Sequence, residues 1–430
     1  MALDFAVEVF QNEYLPEGAA QVDAIVAVTT TGAAVPVVAG DAAEVVVVDT
    51  SGSMGYPPTK LAAAKRTTEV AVDALRDGVR FAVVAGTDSA RVVYPREREL
   101  VVADERTRAE AKQAVRRLRA DGGTAMGRWL ALADELFAGH GDGPRHAILL
   151  TDGVNQHESA DRLAEVLERV AGRFTCDCRG VGTDWRVAEL RRIAEALLGT
   201  VDIVADPEGL VEDFRSMAVA AMGKVVADVA LRLWTPEGAR VRFLKQVAPG
   251  LRDLTGRRVE SGPRTGDYPT GAWGGGESRD YHLAVRVRPA GVGDRMLASR
   301  VSLVGRSGDV LGQGRVLAEW TEDSALSTRI SAEVAHYTGQ AELAEAIRDG
   351  LEARKAGDVE RATAKLGAAV RLAHESGNTD TAKLLAKLLA GVVEVGDPVT
   401  GTVRLRARVA DADEMALDTR STVTKRVRRG

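Results

Sequence analysis

Val45-Val46-Val47-Val48-Asp49-Thr50-Ser51-Gly52-Ser53 is the stretch on which the reading turns. Four consecutive valines form a continuous apolar run, the habit of a strand buried on both faces of a parallel sheet. Elements around the run alternate. Helices are expected over Lys60–Leu75, Thr107–Leu118, Met126–Phe137, Ala160–Ala171, Val187–Leu198 and Leu210–Met222. Strands are expected over Val79–Ala85, Ala90–Tyr94, His146–Leu150, Phe174–Val181 and Val201–Val204. Strands interleaved with helices imply an α/β, mostly parallel, doubly wound Rossmann-like sheet. In such sheets functional groups gather beyond the carboxyl ends of the strands, beside the topological switch point.

Chemistry follows the valines directly. Asp49, Ser51 and Ser53 alternate along one loop and offer a carboxylate and two hydroxyls. A second apolar strand, ending Ile148-Leu149-Leu150, delivers Thr151-Asp152-Gly153 at an equivalent place. Between them Asp121-Gly122-Gly123-Thr124 ends just before a helix and supplies a further hydroxyl. Hard oxygen donors of this kind suit Mg²⁺ or Mn²⁺, and two carboxylates balance a divalent charge. Read alone, Asp-Thr-Ser-Gly-Ser is also compatible with a turn that caps the next helix.

Asp49-x-Ser51-x-Ser53, Thr124 and Asp152, in that order on an α/β chain, resemble the metal-ion-dependent adhesion site (MIDAS) of von Willebrand factor type A domains. The resemblance covers about residues 42–222 and fills all five motif positions. It implies that Ser51, Ser53 and Thr124 coordinate the metal directly while Asp49 and Asp152 act largely through waters. It also implies protein binding, with an Asp or Glu of the partner as the last ligand. Tyr56, Asp88, Asp184 and Trp185 fall in loops expected on the same rim, and His157, close after Asp152, is expected at an exposed helix N-terminus, with an approach to the rim as the alternative.

The flanks have a different texture. Residues 3–10 and 21–29 read as two antiparallel strands, and a Gly/Ala/Pro stretch over 32–42 follows. After residue 224, short strands with Gly- and Pro-bearing turns read as an antiparallel β-sandwich: Val225–Trp234, Ala239–Val247, Leu254–Glu260, Arg279–Arg288, Met296–Val304 and Gly314–Trp320. The Gly-rich insert 262–278, which contains Trp273, is expected to be a long loop. Helices follow over Ser331–Thr338, Ala341–Ala356, Val359–Ser376 and Thr379–Val393, and the polar tail 411–430 is expected to be flexible. The expected division is therefore 1–41 N-terminal strands belonging to the β-sandwich, 42–223 the type A domain, 224–322 the β-sandwich, 323–396 a helical bundle, and 397–430 an extension with a basic tail. A sandwich carrying an inserted α/β domain is similar in architecture to integrin hybrid domains and coat-protein trunks. The overall texture resembles intracellular actinobacterial proteins, some of them similar to components of Ser/Thr-phosphorylation systems. In that setting Thr419, Ser421, Thr422 and Thr424 are candidate phosphosites.

Composition excludes several classes. With 430 residues, 45% apolar and 28% charged, the chain is neither a coiled-coil rod nor wholly disordered. A net charge of −5 gives no basic excess for nucleic acid, and 4% aromatics weaken a base-stacking reading. Cys176 and Cys178 exclude a disulfide framework and read as buried apolar residues; a redox pair is the alternative. The N-terminal Met-Ala-Leu-Asp-Phe lacks a basic n-region, and no run of about 18 uncharged apolar residues occurs, so a cytoplasmic location without membrane insertion is expected. The sequence holds no P-loop, no His-Glu-x-x-His and no Gly-x-Ser-x-Gly elbow. The expected function is Mg²⁺-dependent protein–protein interaction without catalysis. The alternatives are a metal-binding subunit of an ATPase-driven, chelatase-like machine, a metal-assisted hydrolase and a structural scaffold.

Overall fold

The computed structural model describes residues 3–32, 42–141, 143–204, 215–217, 219–221, 223–390, 404–406 and 409–427. The expected helix Leu210–Met222 falls mostly outside the described residues, as do the stretch 33–41, the segment 391–403 and Arg428 and Arg429. The chain divides into two compact units. One holds Met1–Leu3, Ala33–Asp228 and Gly271–Gly275; the other holds Asp4–Gly32, Val229–Thr270 and Gly276–Gly430.

The strands are β1 (Asp4–Gln11), β2 (Tyr14–Pro16), β3 (Gln21–Thr31), β4 (Ala43–Asp49), β5 (Arg80–Gly86), β6 (Ala90–Tyr94), β7 (Val101–Val102), β8 (Arg145–Thr151), β9 (Thr175–Val181) and β10 (Val201–Val204). They continue with β11 (Lys224–Trp234), β12 (Arg240–Ala248), β13 (Arg252–Asp253), β14 (Val259–Gly262), β15 (Thr265–Gly274), β16 (Ser278–Arg286), β17 (Arg295–Val304) and β18 (Val310–Thr321).

In the first unit the sheet order is β10-β9-β8-β4-β5-β6, with β7 paired to β5. Strands β10, β9, β8, β4 and β5 run parallel, while β6 and β7 are antiparallel to β5. Because β4 lies centrally, the chain goes to β5 on one side and returns to β8 on the other. The switch point therefore falls between β4 and β8. Helices α1 (Thr59–Ala74), α2 (Glu105–Arg116), α3 (Met126–Ala138), α4 (Ala160–Val170) and α5 (Val187–Ala196) connect the strands. Val45, Val46, Val47 and Val48 are all fully buried, as the continuous run requires. Met54, Ala64 and Val72 pack with Val46, Val48, Phe81, Ile148 and Leu150 in one core.

The second unit has two sheets, ordered β1-β3-β16-β12-β13 and β14-β15-β11-β17-β18-β2. β3 pairs antiparallel with both β1 and β16, so strands from either side of the first unit share one sheet. The two sheets meet where β1 lies on β18: a Cβ on Gly312 or Gly314 would strike Val7 at 2.7 Å or Val9 at 2.6 Å. The helix Ala332–Lys355 packs on Val359–Glu375, and Leu343, Ile347, Leu351, Leu366, Leu385 and Leu417 share their core.

Several expectations need correction. The insert 262–278 is not a long loop: Thr265–Gly274 is a strand, and Trp273 on it is fully buried. Leu254–Glu260 is not one strand but a 3₁₀ turn, Thr255–Arg257, between β13 and β14. Ser331–Thr338 and Ala341–Ala356 belong to one helix, because Gly339 and Gln340 continue it without a break. The expected helix Thr379–Val393 stops at Leu388, and Leu389–Ala390 pairs with Arg404–Leu405. The tail is not free. Asp411–Arg420 is helical, and Arg426 pairs with the fully buried Asp280 at 2.8 Å.

Candidate metal centre

Three chain segments meet at the carboxyl edge of the parallel sheet. β4 ends on Asp49, and β8 ends on Thr151 with Asp152 next. The loop before α3 ends with Thr124 and is tied to the first segment by two backbone bonds: Gly52 N–H donates to the Gly122 carbonyl at 2.9 Å, and Asp121 N–H to that of Thr50 at 2.8 Å. Gly122 holds φ +74°, a left-handed conformation that suits glycine, so the chain turns there without strain. The structure thus brings Asp49, Ser51, Ser53, Thr124 and Asp152 together.

The polar atoms of Asp49, Ser51, Ser53 and Asp152 form a connected set. Asp49 Oδ1 accepts from Ser51 N–H at 2.7 Å, and its Oδ2 accepts from the Thr151 hydroxyl. Ser51 Oγ lies 3.0 Å from Ser53 Oγ, and Ser53 Oγ donates to Asp152 Oδ1 at 2.9 Å. Asp152 Oδ2 lies 2.8 Å from Lys60 Nζ. Both carboxylates are fully buried. Burial pushes the Asp49 carboxyl up to about 6; hydrogen bonds from Ser51 and Thr151 oppose the rise, and the Asp152 charge adds to it.

The donors surround one point. A Cβ on Gly153 would lie 3.2 Å from Thr124 Oγ1, 3.4 Å from Asp49 Oδ2 and 3.6 Å from Ser53 Oγ. Two hydroxyls and a carboxylate oxygen from two segments therefore line a space kept open by a glycine on the third. Hard oxygens with two buried carboxylates fit a divalent cation of the Mg²⁺ class. Among the described residues, no group of three or more His, Cys, Asp or Glu offers an alternative metal cluster.

Around this point the rim differs from expectation. Tyr56 is 83% exposed. Trp185 is not on the rim but buried, its indole donating to the Gly182 carbonyl at 3.0 Å. Asp88 and Asp184 are surface residues, and Asp184 Oδ2 pairs with Lys60 Nζ at 2.5 Å. His157 is exposed, as expected of a residue near the start of α4, but it also accepts from Thr124 N–H through Nδ1 at 3.1 Å. Glu158 accepts from Gly127 N–H at 2.8 Å and Asn155 from Met126 N–H at 2.8 Å, so the loop after β8 caps α3. A groove of about 330 Å³ runs from there between α3 and α4, lined by Gly127, His157, Glu158 and Ser159 with Arg128, Arg162 and Arg169.

Sequence reasoning missed Lys60 and gave Thr151 no role of its own. Thr151 was legible only as a neighbour of Asp152. Nothing near Lys60 marks a role that depends on a partner 92 residues away, whereas the closeness of His157 to Asp152 in sequence made it a rim candidate, and it does reach Thr124.

A second polar cluster lies on the same sheet, away from these loops. His146 on β8 bridges Glu44 on β4, at 2.8 Å, and Asp177 on β9, at 3.0 Å. Burial opposes the imidazolium, yet the two carboxylates hold His146 at about 10. Asp177, despite burial, is held well below the ordinary carboxylate range by His146. Glu44 is raised by its burial, against the pull of His146. Cys176 and Cys178 are both buried free thiols beside this cluster, and the contact with Cys178, together with burial, holds the Cys176 thiol up.

No helix among the described residues is long and apolar enough to cross a membrane. Residues 43–203 match the family model of the von Willebrand factor type A domain, and residues 371–421 match that of the von Willebrand factor type A C-terminal domain. A solved von Willebrand factor type A protein from Catenulispora acidiphila is 53% identical, with a TM-score of 0.93, over 99% of this chain and 97% of that one. The ArnB paralog VWA2 from Sulfolobus acidocaldarius has the same fold over 98% of both chains, with a TM-score of 0.61 at 15% identity. An uncharacterized protein from Synechocystis is 32% identical over 216 residues, and the chain spans about half of its length, 49%. The sheet with its central valine strand, the oxygen-lined switch point and a match along nearly the whole of a solved relative lead to one assignment: this chain belongs to the von Willebrand factor type A family.

Proposed function

We propose that Asp49, Ser51, Ser53, Thr124 and Asp152 form a MIDAS that binds Mg²⁺ or Mn²⁺, and that the chain uses it to hold an Asp or Glu side chain of a cytoplasmic protein partner. The observation that carries the reading is the convergence of Thr124 Oγ1, Asp49 Oδ2 and Ser53 Oγ around the open space at Gly153. The cation supplies a fixed positive anchor for a carboxylate. The chain's own residues do the rest. Asp49 and Asp152 balance the charge from buried positions, and the backbone bonds of Gly52 and Asp121 hold the two loops in place. The groove beside His157, where Arg128, Arg162 and Arg169 outnumber Glu158, complements an acidic partner surface.

Adhesion fits these residues better than catalysis. A general base needs a carboxylate free to take a proton. Asp49 already accepts from Ser51 and Thr151, and Asp152 is engaged by Ser53 and Lys60. The test is affinity capture from native cytosol in Mg²⁺ and in EDTA, with Asp49→Ala as a parallel bait of matching circular dichroism. A protein held by wild type in Mg²⁺ and lost in both controls supports the reading. Identical capture in every lane overturns it.

A further inference from the structure

The five motif residues leave one charged group at the site unexplained. Lys60, in the first turn of α1, sets its ammonium 2.8 Å from Asp152 Oδ2 and 2.5 Å from Asp184 Oδ2. Its side chain is 14% exposed, whereas that of Asp184 is 64% exposed and that of Asp152 is fully buried. The chain Lys60–Asp152–Ser53–Ser51 is continuous through contacts of 2.8, 2.9 and 3.0 Å. The ammonium therefore stands one carboxylate away from the hydroxyls that face the open space at Gly153.

We propose that Lys60 is a built-in counter-cation of the metal centre, which holds down its resting affinity for a divalent ion and makes metal and acidic ligand bind cooperatively. The inference rests on the metal-binding reading above and deepens it. Two like charges sharing a buried carboxylate repel more strongly than they would in water, because the local dielectric is lower. With Lys60 in place, a bound divalent ion leaves the buried group one positive charge in excess. Without Lys60, Asp49 and Asp152 would balance the ion. Asp184, 2.5 Å from the ammonium but facing solvent, offsets only part of the excess. A carboxylate from outside removes the excess, so it binds more strongly to the filled site and raises metal affinity in return. That reciprocity is required of any two linked ligands. The same arrangement disfavours neutral ligands, which leave the excess in place.

The experiment uses Mn²⁺ as probe, with the free ion counted by electron paramagnetic resonance, on the full chain with and without acetate as a carboxylate ligand. Lys60→Met is expected to bind Mn²⁺ about tenfold more tightly than wild type, from removal of one nearby like charge. Lys60→Arg, which keeps the charge, should stay within about twofold of wild type. Acetate should tighten Mn²⁺ binding in wild type and do so less in Lys60→Met. Wild-type or weaker affinity in a folded Lys60→Met overturns the proposal and leaves the metal-binding reading standing. Should Lys60→Met fail to fold, Asp184→Asn serves instead. Freed of its second partner, Lys60 then bears fully on Asp152, and Mn²⁺ binding should weaken; unchanged binding overturns the proposal. Absence of Mn²⁺ binding in wild type and all variants overturns both readings together.

Discussion

Asp49 is ionised at neutral pH in a place that resists ionisation. Burial raises its carboxyl from the ordinary 3.8 to about 6 without metal. A carboxyl raised on folding costs stability as it ionises. The cost is absent below about pH 4, grows as pH rises through 6 and is complete above it. Asp49→Asn removes the cost while Oδ1 can still accept from Ser51 N–H. In EDTA at pH 7.5 the variant should therefore be more stable to urea than wild type, by up to about 3 kcal/mol, with the advantage shrinking toward pH 5. A variant less stable at both pH values would show that the Asp49 bonds outweigh its burial. His146 has the opposite sign. Its folded value, about 10, lies above the ordinary 6.5, so its contribution is complete below about 6.5 and is lost as pH climbs through 10. His146→Gln leaves the buried Glu44 and the half-buried Asp177 without this cation and should cost about 3 kcal/mol at pH 7. Denaturation at pH 7 and at pH 10 should show the difference narrowing at the higher value. The oxygens at the switch point were legible because each sits in a short string beside a strand end or a helix start. The roles of Lys60 and Thr151 were not, since an ammonium or hydroxyl acquires them only when distant loops close.

At the scale of elements, the valine run did most to define the sheet, because only a strand covered on both faces tolerates it. β15 was hidden for the converse reason. Its buried positions alternate, but Gly266 and Thr270 occupy two of them, so the period-2 signal is faint among glycines and Pro269. Small residues also fix how β5 supports the site. A Cβ on Gly86 would lie 2.4 Å from the Trp129 ring, whose indole donates to the Thr87 carbonyl at 2.7 Å. That same carbonyl accepts from Ala125 N–H at 3.0 Å, beside Thr124. Gly86→Ala must push Trp129 away and disturb both bonds. A loss of about 1–3 kcal/mol in thermal unfolding is expected, together with weaker Mn²⁺ binding. Wild-type stability with wild-type affinity would mean that Trp129 does not position the Thr124 loop.

At the scale of the whole chain, the C-terminal residues behave as structure. Thr424 N–H donates to the Pro249 carbonyl at 3.0 Å, and Lys425 N–H to Gln340 Oε1 at 2.7 Å. Arg426 meets Asp280, which also accepts from the Tyr337 hydroxyl at 2.5 Å. Thr419, Ser421 and Thr424 are all buried, so a kinase reaches them only if this segment lifts. Composition made the tail look free, because a run of Lys and Arg shows nothing of a buried Asp 146 positions earlier. Arg426→Met leaves Asp280 as a buried charge without its cation. It should cost about 3 kcal/mol in urea unfolding and increase proteolysis after residue 420, and an intact tail at wild-type stability would contradict this.

A divalent ion among the oxygens of Ser51, Ser53 and Thr124 should be visible in crystals grown with Mn²⁺. An anomalous difference peak at Mn²⁺ distance from those three hydroxyls, absent from Asp49→Ala crystals, is the expected result. No peak there, or a peak only at the Glu44–His146–Asp177 cluster, would contradict it.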